Sequence, residues 1–478
     1  MMIRKLSILF VVGALIHTFV YDKGFADGPV ASGSASNSAS SPATSSPAAS
    51  GPAGIENLTV ERIYGKPSLL SDLPSGIHWV GDSKGVSYLE KLGDDDESQK
   101  AFIIRSVPKG EQRVVCVPDT VVIPEDLRKS DDAKFKIESY SWDKKGERIV
   151  FTFGGDVFTM EGKSGQITRR TQTEGKERNP VFSPDRKKVA YTRDNDLYVL
   201  SLDTADEIRL TETGCDSVLN GILDWVYMEE LYTRGNKRSF YWSPDSERLV
   251  FLQMRESLVP QFPIVDWMEI NPELEMQRYP KPGEANPIVR VGIVSAGGGE
   301  VVWADTDTRD DSYIARLYWL GDSRGVAIEK LNRAQDELTL LFVDARNGGI
   351  SVVFEETDKT WVNLNDLKHY YEKHRQFLWG SERSGHQHLY LYNMDGSLIR
   401  PITSGNWEVT SLDGVNESKR RLYFTANKSN VMERQLYEVS EKGGEVRQIT
   451  SEEGHHRVTM SPDNKYFIDK FTSEKRPT

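Results

Sequence analysis

Along most of the chain, apolar residues do not recur at helical spacing. Short runs of branched and aromatic residues alternate instead with polar clusters of Asp, Ser, Pro, Gly and Lys. "WVGDSKGVSYL" (79–89), "WDKKGERIVFTF" (142–153), "FSPDRKKVAYTR" (182–193) and "WSPDSERLVFLQ" (242–253) share one layout. Each has an aromatic or apolar residue, a polar turn and then a β-favouring run. The layout returns in "WLGDSRGVAIEK" (319–330), "YEKHRQFLWGSE" (371–382), "LDGVNESKRRLYFTA" (412–426) and "MSPDNKYFIDKF" (460–471). Such a segment is a hairpin, because turn residues supply the unusual backbone angles and branched or aromatic residues fill the flanking strands. A second hairpin often follows, as in "NDLYVLSLDT" (195–204) and "RQLYEVSEKGGEVRQIT" (434–450). A unit of about four short strands is the size of a propeller blade. Starts at residues 79, 142, 182, 242, 319, 371, 412 and 460 predict an all-β chain, an eight-bladed β-propeller, with seven blades the nearest alternative count. The longest gaps follow 79, 182 and 242, where insertions are expected.

The repeat decides how two short motifs are read. "GDSKG" (81–85) and "GDSRG" (321–325) both match G-x-S-x-G, the elbow that presents a nucleophilic serine. A true elbow needs a buried strand before the serine and a helix after it. Ala327, Leu331, Ala334, Leu338 and Leu341 do fit a helical period, but the polar break "NRAQDE" (332–337) and the parallel with the other units outweigh this. Ser83 and Ser323 are therefore expected to be turn residues. No residue of the chain is assigned as catalytic.

The segment "NGILDWVYMEELYTRGNKRSFYWSPDS" (220–246) departs from the repeat. Asp224 can cap a short helix beginning at Trp225, with Trp225, Met228 and Tyr232 on one face. Glu229 and Glu230 are adjacent. On a strand they would point to opposite faces, whereas in a helical or irregular segment they lie about 100° apart and can converge on one ligand. Two carboxylates beside Trp and Tyr suit a small cation such as the free α-amine of a peptide. A solvated acidic face is the plainer alternative.

Composition narrows the partners. With 72 acidic against 60 basic residues, the net charge of −12 argues against nucleic acid, whose phosphates need clustered Lys and Arg. Arg4 and Lys5 precede the apolar run "LSILFVVGALIHTFV" (6–20), and "GFA" (24–26) offers small residues at a cleavage site. This predicts a signal peptide over 1–26 and export to the periplasm or outside the cell, with a retained membrane anchor as the alternative. Residues 28–54 carry no charge and are rich in Ser, Ala and Pro, so 27–54 is expected to be a disordered linker before a propeller over 55–478. Cys116 and Cys215 could pair or remain free thiols. "HQH" (386–388) and "HH" (455–456) lack a third ligand at suitable spacing, so neither metal nor cofactor is expected.

Several segments carry a resemblance. "DWVYMEELY" (224–232), "YTRGNKRSFYWSPDS" (232–246), "VPQFPIVDWMEINPELEMQRYPKPGEANP" (259–287) and "GNWEVTSLDGV" (405–415) resemble the dipeptidyl peptidase IV family, in the prolyl oligopeptidase group of serine peptidases. The likeness extends over about 420 residues, from "LTVERIYGKPSLL" (58–70) onward. It implies an eight-bladed propeller capping an α/β-hydrolase domain, with Glu229 and Glu230 holding the amine of a peptide substrate. Met228 stands where some members carry another acidic residue. By a weaker correspondence, Trp361 and Asn363 in "TWVNLND" (360–366) would border the substrate pocket. The chain ends at "FTSEKRPT", where the resemblance implies that relatives continue into the hydrolase domain. The expectation is thus a substrate-gating propeller of a serine dipeptidyl peptidase, without its catalytic triad and inactive alone. A separate α/β-hydrolase chain is one partner this implies. The alternative is a free-standing exported propeller that binds protein or peptide without catalysis.

Overall fold

The computed structural model describes residues 59–65 and 73–474, apart from 82, 94–98, 129–133, 233, 269, 308–310 and 372–373, together with short strands at Lys5–Leu9 and His17–Tyr21. The expected linker over 27–54 lies outside the described residues. So does the expected leader over 1–26, except for those two strands, which pair with each other and lie beside Phe467–Thr472.

Every one of the eight turns read from the sequence falls between the first and second strands of an antiparallel sheet. Blade 1 consists of Ser75–Val80, Gly85–Glu90, Ala101–Ser106 and Gln112–Cys116. Blades 2 (141–169), 3 (178–209), 5 (313–357), 6 (369–401) and 7 (409–448) are likewise four-stranded meanders. Blade 4 (218–303) has five strands. These seven sheets are complete. The eighth turn joins the last hairpin, His455–Met460 with Phe467–Thr472. That hairpin closes the ring: Ile468 packs with Val86, Tyr88, Ala101 and Ile103 of blade 1.

The recurrent turn explains both the strands and their assembly. Each of the eight turns has a left-handed backbone position: Ser83 (φ 67°), Gly146 (φ 68°), Arg186 (φ 70°), Ser246 (φ 67°), Ser323 (φ 58°), Arg375 (φ 49°), Arg420 (φ 52°) and Asn464 (φ 56°). The three serines among them each accept a backbone N–H from the neighbouring blade. Ser83 Oγ accepts from Asp463 N at 3.1 Å, Ser246 Oγ from Asp185 N at 2.9 Å, and Ser323 Oγ from Asp245 N at 3.1 Å. The aromatic residue before the turn does the same work. Trp79, Trp242 and Trp319 donate their indole N–H to Thr459 O, Val181 O and Tyr241 O at 2.9, 3.3 and 2.9 Å. Another latch closes blades 2, 3, 6 and 7. There Thr171, Thr211, Thr403 and Thr450 each accept from the backbone N–H of Val157, Leu197, Leu389 or Leu436 at 2.8–3.0 Å. Apolar side chains fill the spaces between sheets. The largest cluster joins blades 4, 5 and 6 through residues such as Val250, Leu252, Ile328, Leu340, Phe377 and Trp379.

Of the three long gaps expected, the first is the connection over 117–140 between blades 1 and 2, with short helical turns at Pro118–Thr120 and Glu125–Leu127, and the other two are insertions in blade 4. Its first strand is interrupted: Val218–Asn220 and Phe240–Trp242 both pair with Arg248–Arg255, and residues 221–239 form an excursion between them. A second insertion is the two-stranded arm Gln261–Asp266 with Glu273–Arg278. Cys116 is buried, Cys215 is exposed, and no disulfide joins them.

Candidate functional site

The excursion from blade 4 is built by backbone pairing at its neck and a capped turn at its tip. Leu223 N donates to Lys237 O at 2.8 Å, and Ser239 N to Gly221 O at 3.0 Å, so the loop begins and ends at one place. Asp224 then caps the turn as its sequence position predicts. Its Oδ1 accepts from Tyr227 N at 2.9 Å and its Oδ2 from Val226 N at 3.3 Å. The carboxyl is buried, and that burial pushes its pKa up to about 6 against the bonds from those two amides. The turn widens over Tyr227–Leu231, where Tyr232 N reaches Tyr227 O five residues back at 2.8 Å. Such wide turns are rare and concentrate at functional sites.

Glu229 and Glu230 sit on this turn with different surroundings. Glu229 is half-buried and its carboxylate is ion-paired with Arg234, whose side chain is 80% exposed. Glu230 is exposed to solvent. Met228 is buried in the cluster shared with blade 5, with Trp225 and Tyr232 packed against it. Trp225 also meets Tyr279, with ring centroids 4.3 Å apart.

Blade 5 fixes the turn from beneath. Tyr227 Oη accepts from Ile314 N at 3.1 Å. Arg316 donates to Leu231 O at 2.5 Å and lies 5.2 Å from the Tyr232 ring centroid. The same guanidinium donates to Asp366 Oδ1 at 2.7 Å. Arg316 thereby joins the Glu-bearing turn to the segment that carries Trp361 and Asn363. An open cavity of about 550 Å³ lies there, lined by Tyr232, Tyr241, Arg316, Tyr318, Asp366 and Tyr370. The hydroxyls of Tyr232 and Tyr370 are buried without a hydrogen-bond partner. Sequence reasoning missed Arg316, since no local pattern marks an arginine that bridges segments 85 and 50 residues away.

Trp361 and Asn363 line an adjoining pocket with Glu356, Lys368, Trp379 and Arg383. Trp361 Nε1 donates to Asn363 Oδ1 at 3.0 Å, and Asn363 Nδ2 to Glu382 Oε2 at 2.7 Å. Lys368, buried against Glu329 at 2.8 Å, lines both cavities. The four residues read from the sequence therefore divide into two pairs, linked through Arg316 and Asp366.

The two serines of the elbow-like motifs belong to neither cavity. Both are buried in latch bonds, and each is followed by a strand, Gly85–Glu90 or Gly325–Leu331, where an elbow needs a helix. Among the described residues, no His, Cys, Asp and Glu cluster is placed to hold a metal ion. His388 is instead engaged by Thr403 Oγ1 and Gly405 O, both at 3.0 Å.

Comparison with known proteins places this architecture. The family model described as "Dipeptidyl peptidase IV (DPP IV) N-terminal region" matches residues 128–478. The chain is 28% identical to a probable dipeptidyl-aminopeptidase B of Emericella nidulans, covering 86% of this chain and 50% of that protein. It is 30% identical to a probable dipeptidyl peptidase 4 of Aspergillus flavus, covering 66% and 43% respectively. Thus it spans about half the length of the curated relatives it matches. The crystal structure of Porphyromonas gingivalis dipeptidyl peptidase 4 superposes with a TM-score of 0.70 at 24% identity, over 83% of this chain and 56% of that one. A putative dipeptidyl aminopeptidase IV from Bacteroides ovatus gives 0.64 at 22% identity, with the same coverage. These two likenesses concern the fold.

Proposed function

The chain belongs to the family of the dipeptidyl peptidase IV N-terminal region, and we propose that its propeller selects peptides by their free α-amine, with Glu229 and Glu230 as the receptor. The observation that carries this reading is the capped, wide turn that holds two adjacent carboxylates over a buried aromatic base. A generic blade has no use for such a turn, and here it interrupts a strand. An ammonium group brings three donors, and each bond to a carboxylate contributes about 1.5–3 kcal/mol. Glu229 already holds a cation, the exposed guanidinium of Arg234. An incoming amine exchanges with that side chain, whose guanidinium returns to solvent that it already largely faces.

Trp361 and Asn363 would border the remainder of the peptide, reached past Tyr232 and Arg316. The role is recognition and gating for a serine dipeptidyl peptidase, with the cleaving serine on an α/β-hydrolase domain. Neither Ser83 nor Ser323 suits that part, being committed to blade latches.

The test is calorimetric titration of a free-amine tripeptide into the purified chain and into Glu229→Gln and Glu230→Gln variants. Wild type should bind near ~1 mM, about −4 kcal/mol. Either substitution should weaken binding at least tenfold while the melting temperature holds. Unchanged binding in the double variant would reduce the pair to surface charge and favour a peptide-independent role for the propeller.

A further inference from the structure

The returning end of the same excursion, residues 235–238, borders an open cavity of about 410 Å³ whose charge is one-sided. Arg178, Lys237 and Arg238 line it, and no Asp or Glu does, in a chain whose net charge is −12. Among the described residues, none of the three cations makes an ion pair. The rest of the wall mixes apolar Val150, Phe151 and Pro180 with polar Ser139, Ser141 and Thr152.

Arg238 is the unusual member. Its Nε is buried without any hydrogen-bond partner. Removing a guanidinium from water without a counter-charge is costly, and burial pulls its pKa down. Its nearest compensation is the rings of Phe240 and Tyr241, at 6.0 and 5.6 Å from the guanidinium carbon. Those distances are at the outer limit of a useful cation–π contact, about 6 Å. The Arg238 main chain is pinned at the neck of the excursion, where it bridges Ile222, so its side chain starts from a fixed point on the cavity wall. A planar fork of donors, held half-buried and unpaired in a carboxylate-free cavity, is matched to a carboxylate ligand.

We propose that this cavity is an anion site, with Arg238 as its principal partner, that receives a carboxylate of a bound peptide. The carboxylate could belong to the C-terminus or to an acidic side chain. Its apolar walls suit an organic acid better than a bare inorganic anion. That the occupant is a peptide rests on the amine-receptor reading above; the anion site itself does not. The excursion then carries an acidic receptor at Glu229 and Glu230 and a basic one at Arg238, a pattern that favours short zwitterionic or acidic peptides.

The experiment uses the full chain labelled with ¹⁵N-arginine, in which the orphan Arg238 Nε–H signal is identified by its loss in Arg238→Gln. The probes are N-acetylated peptides, which lack the amine and so report independently of Glu229 and Glu230. N-acetyl-trialanine tests the C-terminal carboxylate, and the N-acetyl, C-amidated peptide Ala-Asp-Ala tests the side chain. N-acetyl-trialanine amide is the neutral control. At least one acidic probe should shift the Nε–H signal saturably, with a millimolar dissociation constant, and the neutral control should not. Arg238→Gln should weaken binding at least tenfold by calorimetry. Arg238→Lys, which keeps the charge but loses the fork, should fall between. Equal responses to acidic and neutral probes would overturn the proposal, as would undiminished binding in Arg238→Gln. Tighter Arg238-dependent binding of inorganic phosphate than of either acidic peptide would overturn the peptide carboxylate as occupant. Loss of amine binding in the Glu229 and Glu230 variants, with acidic probes still bound, would separate the two sites.

Discussion

Asp224 offers a quantitative test of how the Glu-bearing turn is held. Its carboxyl is buried and capped by two amides, yet burial still lifts its pKa to about 6. An aspartate in the unfolded chain titrates near about 3.9, so the gap corresponds to about 3 kcal/mol at about 1.36 kcal/mol per pH unit. The sign follows from proton counts. Between pH 4 and 6 the folded chain holds a proton on Asp224 that the unfolded chain has released, so stability falls as pH rises through this window and then levels off. Asp224→Asn keeps an acceptor for Tyr227 N but cannot ionise. The difference in unfolding free energy, variant minus wild type, should therefore rise by up to about 3 kcal/mol from pH 4 to pH 8. Glu256, itself pushed up to about 7 by burial with Asp224 contributing, shifts the difference the same way. Paired urea denaturation curves at pH 4, 5, 6, 7 and 8 would measure it. A pH-independent difference would show that the Asp224 carboxylate is not desolvated and that the turn is held otherwise.

Three further outcomes follow from the geometry. A fluorophosphonate probe should label neither Ser83 nor Ser323, and Ser323→Ala should cost about 1 kcal/mol by removing the acceptor of Asp245 N–H. Arg316→Ala should cost about 2–3 kcal/mol through its lost bonds to Leu231 O and Asp366, and should speed hydrogen exchange at Tyr232 N–H more than at Leu252 N–H in blade 4. Arg234→Ala should raise amine affinity by up to about fivefold, because it removes an exposed competitor for Glu229.

Local chemistry made the fold legible. The left-handed turn position, the preceding aromatic residue and the following branched run all act within about ten residues, so all eight hairpin starts could be read from the chain. Seven blades are complete, and the eighth start opens the terminal hairpin. The same logic separated Ser83 and Ser323 from a nucleophile elbow. Asp224 was readable as a cap because capping, too, is local. The wide turn was not, because it depends on how Tyr227 and Leu231 are gripped by Ile314 and Arg316, some 85 residues away. Nor could the sequence separate Glu229 from Glu230: burial of the first and exposure of the second are set by the packing of the excursion on blade 5. The basic cavity is assembled from blade 2, blade 3 and the excursion, and no window of sequence contains it.

If the turn at Glu229 and Glu230 reads a positive charge on a peptide, removing that charge should abolish the response of the turn. Titrating one tripeptide in free and N-acetylated forms, followed by NMR of the excursion, tests it most directly. The free peptide should give saturable shifts at residues 227–238, with a dissociation constant of about 1 mM. The acetylated form should leave residues 227–232 unmoved, because it offers two carboxylates a neutral amide in place of an ammonium. Equal shifts from both forms in that turn would contradict the claim.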